Sequence, residues 1–270
     1  MNGESIPAKE LNITLPDQTR KTYRTGITAY DILREVGGIA PNNLLAVKVN
    51  GMPVDISRPL TKDAVIELIT FLTKEGKEIY RHSTSHILAL SVKKLFPDAR
   101  LAIGPAVEDG FYYDFDIKRP FTQEDLEKIE AGIMETIKSD IPFVRKEIRR
   151  EEAIELFRKL GEPYKVEILE DIADEIITVY QQGDFIDLCL GPHVPSSGNI
   201  GAVKLLSIAG AYWKGDEKRP MLQRIYGTSF PDKSELDSYL KRLEEIKRRD
   251  HRRLGRELDL FSISDDIGPG

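Results

Sequence analysis

The sequence predicts an α+β protein: two successive α+β domains followed by one helix. Three observations carry this. Short alternating segments and an Asn-Gly turn fill the first 73 residues, a helical period takes over at Glu78, and a last helical pattern runs from Ser234 to Glu257. At 270 residues the chain also exceeds what one hydrophobic core usually serves. The expected boundaries are 1–73, 74–232 and 233–270.

In the first domain, Ile13 and Leu15 alternate with polar neighbours, Pro16 to Thr19 supplies a turn, and Lys21 to Arg24 returns as a second strand. Thr28 and Asp31 form a capping-box-like helix start ahead of Ile32, Leu33 and Val36, and Gly37-Gly38 ends that helix. Leu44 to Val49, Asn50-Gly51 and Met52 to Ile56 read as a hairpin, because Asn-Gly accepts the positive φ angles of a type I′ turn. Ala64 to Leu72 is a closing strand. One helix laid over such a mixed sheet is the β-grasp pattern.

Lys74 to Lys77 reads as a polar hinge. From Glu78, residues Ile79, His82, His86 and Leu90 fall on one helical stripe, with Leu88, Val92 and Leu95 nearly opposite, so this helix is expected to be buried on two sides. Gly110 to Asp116 is a strand with Phe111, Tyr113 and Phe115 on one face. Thr122 to Lys138 and Glu151 to Leu160 are helices. Tyr164 to Leu169, Ile176 to Gln181 and Asp184 to Leu190 read as strands, giving a second α+β domain with a mainly antiparallel sheet.

The 39 Lys and Arg against 45 Asp and Glu give a net charge of −6, which excludes a general polyanion binder and makes any nucleic-acid contact local. The one basic run, Lys247 to Arg256, is either a solvated helix face or an RNA-backbone contact. A single Cys excludes an internal disulfide and suits a reducing compartment. No stretch approaches the roughly 18 apolar residues of a membrane span, and no signal core opens the chain, so a cytoplasmic protein is expected.

Chemistry concentrates in two matching pairs, His82-x3-His86 and Cys189-x3-His193, which hold three of the four histidines and the only cysteine. The first pair lies one helical turn apart, so both imidazoles can enter one cavity. The second lies where a strand with Asp187 and Cys189 on one face runs into the Gly191-Pro192 loop. Residue types leave three readings open: ordinary packed side chains, a tetrahedral zinc site of three imidazoles and a thiolate, or a metal-free hydrolytic pocket in which imidazoles and a lysine position water. A Cys189 nucleophile is a variant of the third.

Seven blocks, in order, resemble the editing region of bacterial threonyl-tRNA synthetases. They are His82–His86, Ala102–Pro105, Asp109–Asp114, Glu162–Val166, Asp187–Pro195, Ala209–Asp216 and Leu222–Thr228. The preceding unit resembles the TGS domain of that family, and Lys247 to Leu260 its linker toward the catalytic domain. The resemblance implies an amino-terminal fragment. The class II aminoacylation domain, which would bring ATP, magnesium and its own zinc, should begin about where this sequence stops. It also implies hydrolysis of serine mischarged on tRNA(Thr), a monomeric fragment of a homodimeric parent, and no membrane partner.

The same resemblance implies residue roles. Lys165, read on an alternating strand, and His82 would position and deprotonate water or protonate the leaving ribose oxygen. His86 and His193 would orient water and ribose, Asp187 would pair with the substrate ammonium, Tyr113 would line the adenosine site, and Cys189 would line the pocket. The related alanyl editing pocket carries zinc with the same paired spacing, whereas the threonyl type implies no required metal. A zinc-dependent freestanding trans-editing hydrolase and a non-catalytic tRNA-binding module are the alternatives.

Overall fold

A computed structural model of the chain describes residues 10–37 and 43–249. The chain divides into two compact units after Pro231. The first unit contains both α+β parts.

Its amino-terminal part comprises β1 (Glu10–Thr14), β2 (Arg20–Arg24), α1 (Ala29–Val36), β3 (Ala46–Val49), β4 (Met52–Val54) and β5 (Ala64–Ile69). The sheet order is β2-β1-β5-β3-β4, with β1 and β5 parallel and the other pairs antiparallel. Both ends of α1 are set by local chemistry: Thr28 and Asp31 make a reciprocal capping box, and Gly37 takes the left-handed conformation with φ 72°. The hairpin turn has φ 51° at Asn50 and 81° at Gly51, the sign pair that a primed turn needs. Leu11, Ile13, Ile32, Val47 and Ile66 are fully buried between helix and sheet. Gly38 lies outside the described residues.

The larger part contains α2 (Lys74–Leu95), β6 (Arg100–Leu101), β7 (Ala106–Val107), β8 (Gly110–Asp116), α3 (Gln123–Lys138), β9 (Val144–Arg149), α4 (Arg150–Lys159), α5 (Pro163–Asp171), β10 (Ile176–Gln182), β11 (Phe185–Leu188), β12 (Ala202–Tyr212) and β13 (Met221–Phe230). Two antiparallel sheets result, one ordered β12-β13-β8-β6 with β7 beside β8, the other β11-β10-β9. Helix α2 packs on the first sheet and on α3. Phe111, Tyr113 and Phe115 are all buried on that sheet's inner face, as their alternation predicts. Ser83, Thr84 and Ser91 are buried in α2 because each hydroxyl donates to the carbonyl four residues earlier.

Three expectations are corrected. Lys74 to Lys77 is not a hinge but the first turn of α2, whose N-cap Thr73 accepts the Gly76 amide at 3.0 Å. Tyr164 to Leu169 is not a strand. Pro163 occupies the start of helix α5, and the run satisfies the helical period as well, with Tyr164 and Ile168 packing beside Trp213 and Leu169 entering a separate cluster with Phe157. The hairpin β12–β13 and strand β9 have no counterpart among the expected elements.

The second unit contains α6 (Lys233–Arg248), begun by Asp232, whose side chain accepts the Glu235 amide. In the basic run, Arg248 and Arg249 face Glu244 and Glu245 at 3.9 and 3.8 Å, the solvated-face arrangement. Arg252, Arg253, Arg256 and the rest of the segment to residue 270 lie outside the described residues.

Gln182, 2% exposed, buries a carboxamide with no partner on either polar atom among the described residues. An unpaired buried amide costs about 1–3 kcal/mol. Gln182→Leu is therefore expected to raise Tm by a few degrees in thermal unfolding; an unchanged or lower Tm would show that the amide is satisfied.

Candidate active site

Helix α2 presents His82 and His86 with ring centroids 4.8 Å apart. The chain leaving β11 brings Cys189 and then His193 against them. Cys189 Sγ lies 3.0 Å from His82 Nε2 and 3.2 Å from His193 Nε2. One ligand atom from each of His82, His86, Cys189 and His193 falls within 4.8 Å of the others. The two pairs that the spacing singled out therefore form one cluster.

Each imidazole is held through its Nδ1. His82 Nδ1 contacts the Gly104 carbonyl at 3.1 Å, His86 Nδ1 contacts Asp187 Oδ2 at 3.1 Å, and His193 Nδ1 contacts Ser83 Oγ at 3.0 Å. A carbonyl only accepts, so His82 Nδ1 carries a proton, and in the neutral ring Nε2 is a lone pair facing Cys189. The position requires glycine, because a Cβ there would run into the Tyr113 ring.

Behind the cluster, Asp187 is fully buried. Its Oδ1 meets Lys165 Nζ at 2.5 Å and accepts the Leu188 amide at 2.8 Å, while Oδ2 accepts the Tyr113 hydroxyl at 2.7 Å in addition to facing His86. Lys165 also donates to the Tyr113 oxygen at 3.0 Å. Lys165 comes from the first turn of α5, 3% exposed, instead of from a strand. Four neighbours occupy the carboxylate, so Asp187 has no free acceptor for a substrate ammonium unless one of them gives way.

The electrostatics follow from this arrangement. Burial disfavours the Asp187 anion, but Lys165 and His86 outweigh it and hold the carboxyl well below its usual range. Burial also opposes the His86 imidazolium, and Asp187 with Cys189 raises its pKa to about 9 nonetheless. His193 lacks a carboxylate on its ring; burial lowers it to about 3, so it is a neutral imidazole. Burial pushes the Cys189 thiol up, but the surrounding imidazoles bring it well below its ordinary value. Burial, then Asp187, raises Tyr113 and keeps it a neutral donor.

These groups floor a cavity of about 580 Å³. His82, His86, Lys165, Asp187 and Cys189 line it together with the apolar Ile103, Ile168, Ile172 and Ile176. Tyr113 and His193 stand behind that surface as supports. The expected residue set thus converges as a whole. Sequence reasoning missed Ser83 and the Gly104 carbonyl as anchors, although both lie inside blocks that it singled out.

Three imidazoles and a thiolate are also the donor set of tetrahedral zinc, and ligating histidines are characteristically held through their second nitrogen, as here. By chemistry the residues fit such an ion.

Comparison with known proteins agrees with this architecture. Residues 11–70 match the TGS domain, and residues 177–226 match the "Threonyl and Alanyl tRNA synthetase second additional domain". The class is therefore that of chains joining a TGS domain to the second additional domain of these synthetases. Over 261 residues the chain is 56% identical to the threonine–tRNA ligase of Desulforamulus reducens and 53% identical to that of Citrifermentans bemidjiense, covering 96% and 97% of this chain. The chain is a homologue of the threonine–tRNA ligases, and it spans 41% of the length of these two relatives. No helix among the described residues is long and apolar enough to cross a membrane.

Proposed function

We propose that this chain is the editing part of a threonine–tRNA ligase and hydrolyses the ester of serine mischarged on tRNA(Thr). Threonine and serine differ by one methyl group. A synthetic site gains only about 1–3 kcal/mol from that difference, so serine is sometimes loaded and a second, smaller sieve is required. The observation that carries the reading is the His82 tautomer: a lone pair fixed by the Gly104 carbonyl at the floor of a cavity, with the Lys165 amine beside it on Asp187.

In this reading His82 Nε2 takes a proton from water as the water oxygen bonds to the ester carbonyl carbon. The tetrahedral intermediate then breaks its bond to the ribose oxygen, which takes a proton from Lys165 or from protonated His82. Free serine and a tRNA with its terminal hydroxyl restored leave the site. Asp187 acts through others: it holds Lys165, Tyr113 and His86 in place, in preference to binding the substrate ammonium. Cys189 lines the floor, and its sulfur accepts the Gly191 amide at 3.3 Å. Were a metal ion bound, His82, His86, Cys189 and His193 would hold it and it would supply Lewis acidity; the reading requires none.

The deciding experiment compares deacylation of seryl- and threonyl-tRNA(Thr), with and without a chelator. Hydrolysis of the seryl ester only, retained after chelation and reduced at least 100-fold by His82→Ala, is expected. Loss on chelation with recovery in zinc would assign the cluster to a metal. Retarded tRNA in gel shifts without any hydrolysis would favour a binding module.

A further inference from the structure

One group at the site comes from outside the editing part altogether. Asp55 follows β4 in the β-grasp sheet, is 8% exposed, and directs both carboxylate oxygens out of its own domain. Oδ1 accepts the backbone N–H of His193 at 3.0 Å, and Oδ2 accepts the Tyr180 hydroxyl at 2.7 Å. Tyr180, on β10, stands edge-on to the His193 ring at 4.4 Å, and Phe143 stacks on that ring at 4.7 Å.

Beyond Cys189, whose N–H still reaches the Thr178 carbonyl of β10 at 3.4 Å, the segment to Val194 has left the β11 ladder. Its anchors are individual. Val194 N donates to Ser83 Oγ at 3.0 Å, and His193 N donates to Asp55. A bond to a carboxylate is roughly twice as strong as one between neutral groups, and here it fixes the backbone of a residue whose Nε2 touches Cys189. Burial, then Asp55, raises the Tyr180 pKa, so this hydroxyl stays a neutral donor and the second bond persists.

We propose that Asp55 is a positioning residue for the hydrolytic site. Through this one carboxylate, the β-grasp domain sets the place of His193 and hence the shape of the His82, His86, Cys189, His193 cluster. The β-grasp domain is then a working part of the editing site and not only an appended module. The activity arm of the test rests on the editing reading above; the spectroscopic arm does not.

The test uses the whole chain and three variants. Asp55→Ala removes both bonds. Asp55→Asn keeps one carbonyl acceptor for His193 N–H and offers an amide to Tyr180, which can turn and accept. Ile66→Val loosens the β-grasp core without touching Asp55 and controls for stability. With four histidines in the chain, imidazole C–H spectra are simple, and His193, between two aromatic rings, is sensitive to small displacements.

Asp55→Ala is expected to move or broaden the His193 signal and to lower kcat for seryl-tRNA about 10- to 100-fold with KM little changed. Asp55→Asn should recover most of both, and Ile66→Val should change neither. A wild-type His193 signal in folded Asp55→Ala would overturn the proposal, as would a kcat loss matched by Ile66→Val. If Asp55→Ala does not fold, Tyr180→Phe carries the test: it removes one of the two bonds and should move His193 in the same way by less, and no change there overturns the idea. A displaced His193 signal in a protein whose wild type hydrolyses nothing would uphold the positioning role while the editing reading falls.

Discussion

Asp187→Ala is expected to lose about 3–5 kcal/mol of stability and, on the proposed editing function, all measurable hydrolysis, the largest effect of any single substitution at the site. The cause is not the missing side chain itself. Lys165 and His86 are each about 4% exposed at the side chain, and Asp187 is their only carboxylate among the ion pairs of the described residues. Removing one member of a buried ion pair leaves the others in a medium that cannot solvate them, and breaking such a pair costs more than the pair itself contributed. The Tyr113 hydroxyl and the Leu188 amide also lose their acceptor.

Two further measurements separate this cause from loss of packing. His86, raised to about 9 chiefly by Asp187 against its burial, should return to the neutral form near pH 7 in the variant, which NMR titration reports. Lys165→Met combined with Asp187→Leu should be more stable than Asp187→Ala alone, because no ammonium is then stranded. Denaturant unfolding of the three proteins decides the point: a loss below about 1 kcal/mol in Asp187→Ala would mean that the charges find water or another partner.

Local chemistry made much of this fold legible in the sequence. Thr28 with Asp31 and Thr122 with Asp125 start helices through their own side chains, and Asn50-Gly51 turns a hairpin by its backbone preference alone. The site was legible for a similar reason: residues four apart on a helix, and four apart across a strand end, bring pairs of ligand-type side chains together at short range. What stayed hidden depends on distant partners. Tyr164 to Leu169 fits both periods, and only packing on Trp213 and Phe157 selects the helix. Strand β9, Val-Arg-Lys-Glu-Ile-Arg, is mostly charged, and its pairing with β10 makes it a strand. Asp55 is one carboxylate among many in sequence, and its contact with His193 spans 138 residues.

His86 and His193 should make the stability of the protein depend on pH in opposite senses on the two sides of about pH 6.5. His86 has its pKa raised in the folded chain to about 9, from an unfolded value of about 6.5. The folded state therefore holds a proton that the unfolded state releases. Its contribution is complete below pH 6.5 and disappears as the pH rises through 9. His193 behaves in the opposite sense. Burial lowers it to about 3, so the unfolded chain takes up a proton that the folded chain refuses, and this contribution is complete above pH 6.5 and disappears as the pH falls toward 3. A tenfold difference in proton affinity between the folded and unfolded chain corresponds to about 1.4 kcal/mol, so each histidine's own contribution is large enough to be visible in Tm. Asp187 adds to the acid limb only below the ordinary carboxylate range, and the raised Tyr113 and Tyr180 add to the alkaline limb only above about pH 10, where unfolded tyrosine ionises. Cys189 also titrates here: held well below its ordinary range in the folded chain, it gives up a proton that the unfolded thiol keeps up to about pH 8.5, so its contribution grows with pH up to that value, adds to the acid-side loss and offsets His86 on the alkaline side. Thermal unfolding from pH 4 to 9 in a Cys189→Ser background removes that contribution, and there His193→Gln should flatten the acid side and His86→Gln the alkaline side. A Tm that stays level from pH 7 to 9 in Cys189→Ser would mean that His86 is neutral in the folded protein, and the charge pattern drawn from Asp187 outward would have to be abandoned.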